Sequence, residues 1–251
     1  MLSRVNWSDY VAQYHAAHPG ITEVALHHAR HPELGTAHQW LAAAVPHSGL
    51  VLDIGAGSCP VQPHLPARSY MGVDRSHAEL AAAVRLGRGP VQVGDAVALP
   101  VASASVDCVV VSMALMLMPL SQTLAEVRRV LRPGGAFVAL LPATGPVRAS
   151  DLLPGLLLSL ALRGPGSMPT TLSPRRLRHA LPQAGLRVTA IERRRFPFPV
   201  ATAQDAELAV SSLYTPGRSD RQRTRAKSIL AALPGRTELP VPLLRVTALR
   251  V

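Results

Sequence analysis

The sequence predicts an α/β fold, a mostly parallel sheet of seven strands with helices on both faces. Three observations predict it. Between about residues 49 and 141, apolar β-type runs alternate with amphipathic helical stretches, the pattern of right-handed crossovers in a parallel sheet. The run Val51-Leu52-Asp53-Ile54 breaks into Gly55-Ala56-Gly57-Ser58-Cys59-Pro60, which reads as a buried strand turning sharply into a helix. Three acids, Asp53, Asp74 and Asp95, stand at or near the ends of three successive runs, so carboxylates gather on the edge where open α/β sheets bind ligands.

Residues 1–48 are expected to be mostly helical and to cap the sheet. Tyr10, Tyr14 and His15 lie near the start, Pro19-Gly20 interrupts, Thr22-Glu23 opens a second helix towards Ala29, and a third runs from Thr36 to Val45. Seven of the ten histidines fall here, at positions 15, 18, 27, 28, 31, 38 and 47. His27 and His31 would face the same way on a helix, but no glutamate follows as in H-E-x-x-H and Pro32 ends the helix at once, so no metal site is expected. His15, His18 and His38 are the candidate catalytic proton acceptors.

Strands are expected near 50–54, 69–73, 90–93, 106–112 and 135–141. Gly55 and Gly57 let the backbone take positive φ and approach a ligand closely, and Pro60 suits the first turn of a helix. Asp74 comes nineteen residues after Gly55, where an acid in such folds grips two ribose hydroxyls, and Gly94-Asp95-Ala96 comes twenty-one further on. Ser76 is the expected N-cap of a helix from His77 to Leu86. Another helix, Leu120 to Leu131, is expected to stop at Arg132-Pro133-Gly134-Gly135.

Beyond Leu141, the stretch from Asp151 to Leu162 is apolar all round, so burial in a pocket wall or an interface is expected. Ser173 caps a helix from Pro174 through Leu181. Leu186 to Ile191 is the sixth strand. The last is Leu243 to Val251, where Leu244, Val246 and Ala248 alternate with Arg245 and Thr247. About fifty residues separate these two strands, too many for a plain connection, so 194–240 is expected to be an insertion over the pocket. It holds Phe196-Pro197-Phe198-Pro199, a helix around Ala203 to Leu213, Tyr214, and a basic helix from Arg218 to Leu233.

From about Leu50 to Leu141 the chain resembles the class I S-adenosylmethionine-dependent methyltransferases. The motifs VLDIGAGS, YMGVDRS, VQVGDAVALPVASASVDCVVVSMAL and LAEVRRVLRPGGAFVALL carry the resemblance in order and position. It implies a Rossmann-like sheet with an antiparallel last strand, a cap over 1–48 and a methyltransferase domain over 49–251. S-adenosyl-L-methionine is the cofactor it implies. Gly55, Ala56 and Gly57 would meet its methionine part, Asp74 would hold its ribose, Asp95 and Ala96 would meet its adenine, and Asp53 and Arg75 complete the expected cofactor-binding set. Ser112, Met113 and Ala114 would line the other side, with Tyr10 or Tyr14 covering the methionine end. Met116, Phe196, Phe198 and Tyr214 are the expected acceptor-binding residues. Two departures stand out: Cys59 replaces the family's usual third glycine, and Met116 follows Leu115 where many relatives carry a histidine, so a ready-made base is missing there. Pro60 also breaks the G-x-G-x-x-G of a dinucleotide cradle, which argues against nicotinamide redox chemistry.

A length of 251 residues suits one α/β domain with insertions. Two cysteines, one in the turn and one in a strand, are no disulfide framework, and no run reaches the ~18 apolar residues of a membrane span. A cytoplasmic protein with no membrane partner is therefore expected. The net charge of +11 is uneven: residues 1–125 hold six arginines against eight acids, and residues 126–251 twenty basic residues against seven acids. Such asymmetry can mark a nucleic-acid substrate, yet few aromatics accompany the arginines to stack on bases. The expected function is methyl transfer to a small-molecule acceptor in specialised, natural-product metabolism. The alternatives are methylation of a ribosomal RNA base, and cofactor binding without methylation. Nothing in the sequence fixes the oligomeric state.

Overall fold

The structure, a computed structural model, describes residues 6–66, 69–162, 164, 168–232 and 237–251. Two helices open the chain, α1 (Trp7–Ala17) and α2 (Ile21–His28). A two-stranded hairpin follows, β1 (Arg30–His31) with β2 (Gly35–Thr36), which the composition of this segment does not announce. It removes His31 from the helix of His27, so the two histidines do not share a helical face. Among the described residues no group of three His, Cys, Asp or Glu is placed to hold a metal. Helix α3 (Ala37–Ala42) starts at a capping box, with Thr36 accepting from the Gln39 amide and Gln39 from that of Thr36.

The sheet then builds from β3 (Val51–Ile54), β4 (Tyr70–Asp74), β5 (Val91–Val93), β6 (Val106–Ser112) and β7 (Leu131–Pro142), all parallel. Between them lie α4 (His77–Arg85), capped by Ser76 as expected, and α5 (Leu120–Val130). After β7 come α6 (Leu152–Ala161), α7 (Pro174–Gln183), β8 (Leu186–Val200), α8 (Ala203–Ser211), α9 (Asp220–Ala231) and β9 (Thr237–Arg250). The strand order is β5-β4-β3-β6-β7-β9-β8, with β9 antiparallel to both neighbours. This is the expected seven-stranded, mostly parallel, Rossmann-like sheet. Strand alternation divides the core: Val51, Cys108, Val110, Val138 and Leu140 face α2, α3, α8 and α9, while Leu52, Ile54, Val109, Val111, Ala139 and Leu141 face α5 and α7.

Three expectations about the second half need correction. Strand β8 runs nine residues past Ile191, and Phe196-Pro197-Phe198-Pro199 is not a lid but part of it, paired with 238–241 of β9. Two prolines fit because β8 is the sheet's outer strand, and a missing N–H there costs no ladder bond. Phe196 packs 5.6 Å from the Trp40 ring and 5.8 Å from that of His31, and Phe198 lies 4.5 Å from His28. Helix α6 is the second correction: Leu152, Leu153, Leu156 and Leu160 are 55–64 % exposed rather than enclosed. Third, α5 passes straight into β7 at Leu131, with Pro133 and Gly134 inside the strand. The expected end of the basic helix at Leu233 lies outside the described residues, as do the first five residues of the expected cap.

Candidate functional site

At the carboxyl ends of β3, β4, β5 and β6 the chain encloses a cavity of about 300 Å³. Its floor is the turn after β3. Gly55 and Gly57 have φ of +65° and +54°, and a Cβ on Gly55 would come within 2.5 Å of Ala114 Cβ and 2.7 Å of Met118 Cε, so only glycine fits. Cys59 shares this backbone at φ 55°, the left-handed region that glycine enters with least strain. Met113, on the cavity wall, also holds a φ of 55°.

Ala56, Asp74, Arg75, Asp95, Ala96 and Ser112 join Gly55, Gly57 and Met113 on this cavity. Asp74 Oδ2 accepts from the Gly57 amide and Oδ1 from the Ser76 amide, both at 2.8 Å, tying the second strand's end to the glycine turn. Burial raises the Asp74 carboxyl above its ordinary range, and those two amides work against the rise. Asp95 accepts from the Val97 amide at 3.1 Å and is otherwise open. The Ser112 hydroxyl, on the cavity wall, is buried with no hydrogen-bond partner among the described residues, so a ligand there can satisfy it.

The roof is aromatic and polar at once. Trp7, Val11, Ala12 and His15 of α1 reach over the cavity and meet Tyr214 from the insertion. His15 Nδ1 lies 2.7 Å from Glu79 Oε1 and Nε2 lies 2.8 Å from the Tyr214 hydroxyl. A carboxylate only accepts, so in the neutral ring Nδ1 carries the proton and Nε2 accepts from Tyr214. Glu79 also accepts from the Gly20 amide at 3.0 Å. Tyr10 and Tyr14 complete the join, the first accepting from the Thr215 amide at 2.8 Å and the second donating to the Ser211 carbonyl at 2.6 Å. Burial, reinforced by nearby tyrosine and carboxylate charge, drives the phenols of Tyr14 and Tyr214 well above their ordinary range, so both stay protonated.

Seven residues singled out in the sequence are not on this cavity. Asp53 is wholly buried within β3, level with Gly72 and two residues short of Asp74, so its side chain stops against Tyr70 beneath the crevice. Tyr10 and Tyr14 are turned to the insertion by their bonds to Thr215 and Ser211. Met116 is buried against the α5 side of the core. Phe196 and Phe198 sit beneath the first helices, and His18 is exposed, bonded to the Tyr14 carbonyl. Glu79, Trp7 and the wall of Thr22, Glu23 and Ser58 are site residues that sequence reasoning missed. The one available signal was the position of Glu79 in the first turn of α4, beside the expected ribose acid.

A family model describing a Methyltransferase domain matches residues 52–139. Among solved structures the chain is similar to the [4+2]-cyclase SpnF, at 18% identity over 96% of this chain and 94% of that one, with a TM-score of 0.62. It is similar to a chain in the complex between the Haloferax volcanii Trm112 methyltransferase activator and a methyltransferase, at 20% identity over 95% and 96%, TM-score 0.60. A third is Geranyl diphosphate methyltransferase in complex with GPP and sinefungin, at 16% identity over 86% and 77%, TM-score 0.52. At such identities the likeness establishes the fold. No curated protein matches the sequence. The matched stretch carries the strands that end on the cavity, so residues 52–139 form a methyltransferase domain, and S-adenosylmethionine is the cofactor that such a domain calls for.

Proposed function

We propose that the chain transfers the methyl group to a small, mainly apolar acceptor, as enzymes of natural-product metabolism do. One observation carries this reading: the space beside the glycine turn is roofed by Trp7, Val11 and Tyr214 and walled by Leu117, Met118, Pro119 and Pro169, with Arg75 the only arginine or lysine lining it among the described residues. Such a lining suits an apolar body. A polynucleotide would need an open cationic trough. Part of the positive charge of the second half is held in ion pairs away from the cavity, Arg195 with Asp151 and Glu238, Arg245 with Glu192, and Lys227 with Glu207.

In this reading Gly55, Ala56 and Gly57 cradle the cofactor's methionine part, Asp74 and Arg75 take its ribose, Asp95 and Ala96 its adenine, and Ser112 and Met113 its other side. When bound, the cofactor supplies a methyl carbon made electrophilic by positive sulfur. The protein's share is to align the acceptor's nucleophile with that carbon and to exclude water, which the closed roof does. For a hydroxyl or amine acceptor, His15 takes the proton through Tyr214: the acceptor's proton passes to the phenol oxygen as the phenol's own proton passes to Nε2, and Glu79 balances the imidazolium.

The test is release of S-adenosylhomocysteine from labelled cofactor with a panel of hydrophobic phenols, amines and carboxylic acids, run beside deproteinised ribosomal RNA. Turnover with a panel compound and none with RNA supports the reading; salt-sensitive label transfer to RNA alone overturns it.

A further inference from the structure

The sheet order orders the ligand. Asp95 ends β5, Asp74 lies next over β4, and Gly55 and Gly57 follow over β3, so an adenosyl amino acid lying along this edge carries its amino-acid end past the glycine turn. There the wall is made by Gly20, Thr22, Glu23, His38, Ser58 and Pro60. His38 is 3 % exposed, and its ring makes no hydrogen bond to any described residue. The capping box at Thr36 sets α3, and with it the placement of this ring. An imidazole that lines a ligand cavity, is nearly buried and bonds to no described residue is free to bond to what the cavity holds.

Its neighbours decide what that partner is. Glu23 faces the same end and is built into place: Arg88 grips both carboxylate oxygens at 2.8 Å, and the Ser58 hydroxyl donates to Oε2 at 2.7 Å. Burial opposes ionisation of Glu23, but the bonds from Arg88 and Ser58 prevail and hold its carboxyl below the usual range. Burial likewise keeps the His38 ring neutral, pushed down to about 4, which leaves one ring nitrogen as an acceptor. A carboxylate beside a neutral acceptor repels another carboxylate and receives a primary ammonium.

We propose that His38 and Glu23 hold the α-ammonium of the cofactor's amino-acid end, His38 accepting one of its N–H bonds and Glu23 supplying the countercharge. This rests on the cofactor assignment. His38 is then a binding residue rather than a base for the acceptor, and it selects for a cofactor that carries its amino group.

The experiment is calorimetry on the full chain with three probes: S-adenosylhomocysteine, its decarboxylated analogue adenosyl thiopropylamine, and methylthioadenosine, which lacks the whole amino-acid end. His38→Ala is expected to weaken the first two by about tenfold and to leave methylthioadenosine unchanged. His38→Gln, which restores an acceptor of similar reach, recovers part of the loss, and Glu23→Gln repeats the pattern of His38→Ala. Equal loss for all three probes overturns the proposal by showing a collapsed cavity. So does loss for S-adenosylhomocysteine without loss for the amine, since that assigns His38 to the carboxylate, and so does no loss at all. If the unaltered chain binds none of the three, the cofactor assignment falls together with the proposal.

Discussion

Tyr70 donates its hydroxyl to Asp53 Oδ2 at 2.9 Å in the interior of the sheet, while Asp53 Oδ1 is buried with no partner among the described residues. Burial pushes the Asp53 carboxyl up to about 7, against the opposing effect of the Tyr70 bond. A carboxyl raised in the folded state binds more protons there than in the unfolded chain, so its contribution is favourable at low pH and is lost as pH climbs from about 4 to about 7. His38 runs the other way. Its folded value is depressed to about 4, so folding gains from it as pH rises from there to about 6.5. The two slopes oppose each other in the native chain. The informative quantity is therefore the difference between the native chain and Asp53→Asn in urea unfolding at pH 5 and pH 8: the variant should gain stability relative to the native chain on going to pH 8, by a few kcal/mol at most.

Gly55→Ala should cost about 2 kcal/mol or more and abolish S-adenosylhomocysteine binding, because the new methyl meets Ala114 at 2.5 Å on a backbone with φ +65°. Gly155 in α6 is the contrast. Its Cβ position is open and its φ is not in the left-handed region, so Gly155→Ala should raise stability by about 0.5–1 kcal/mol. Thermal unfolding of both variants checks the pair.

The leucines of α6 lead to a third expectation. Leu153→Ser and Leu156→Ser remove side chains that are more than half exposed, so unfolding free energy should move by no more than about 0.5 kcal/mol, while aggregation on concentration should fall. A larger loss of stability would mean that this face is covered in solution.

What is legible in the sequence follows from how far apart the causes sit. Gly55, Gly57, Asp74 and Asp95 each belong to a strand end and its next few residues, so local spacing alone brings them to one edge. Glu79 and His15 are 64 residues apart and His15 and Tyr214 are 199 apart, and nothing local marks such a pair. Phe196-Pro197-Phe198-Pro199 reads as a loop because proline withholds a donor, yet only the place of β8 at the outer edge of the sheet makes those prolines harmless. Composition reports that α6 is apolar; which of its faces finds a partner depends on β9 and α9, which come much later in the chain. Asp53 and Asp74 look alike at the end of apolar runs, but the register sets Asp53 level with Gly72, two residues short of Asp74, so one carboxylate stops inside the sheet and the other reaches the cavity.

The roof itself gives the last expectation. Helix α1 has no fully buried residue and is held over the cavity chiefly by side-chain bonds and ring contacts, the Glu79–His15–Tyr214 chain, Tyr10 to Thr215 and Tyr14 to Ser211, with Tyr14 and Tyr214 rings 4.9 Å apart. An element held that way opens at low free-energy cost, as a cofactor needing entry requires. Glu79 anchors both His15 and the Gly20 amide, so Glu79→Ala removes two bonds to a charged acceptor in one step. Bonds to charged groups are worth about 1.5–3 kcal/mol each, so amide hydrogen exchange across residues 7–17 should speed up by at least about tenfold while exchange in β6 and β7 stays as it was. Tyr214→Phe breaks only the outer link and should give a smaller acceleration in the same segment. Equal acceleration in the sheet strands would mean that Glu79 supports the whole domain rather than the roof.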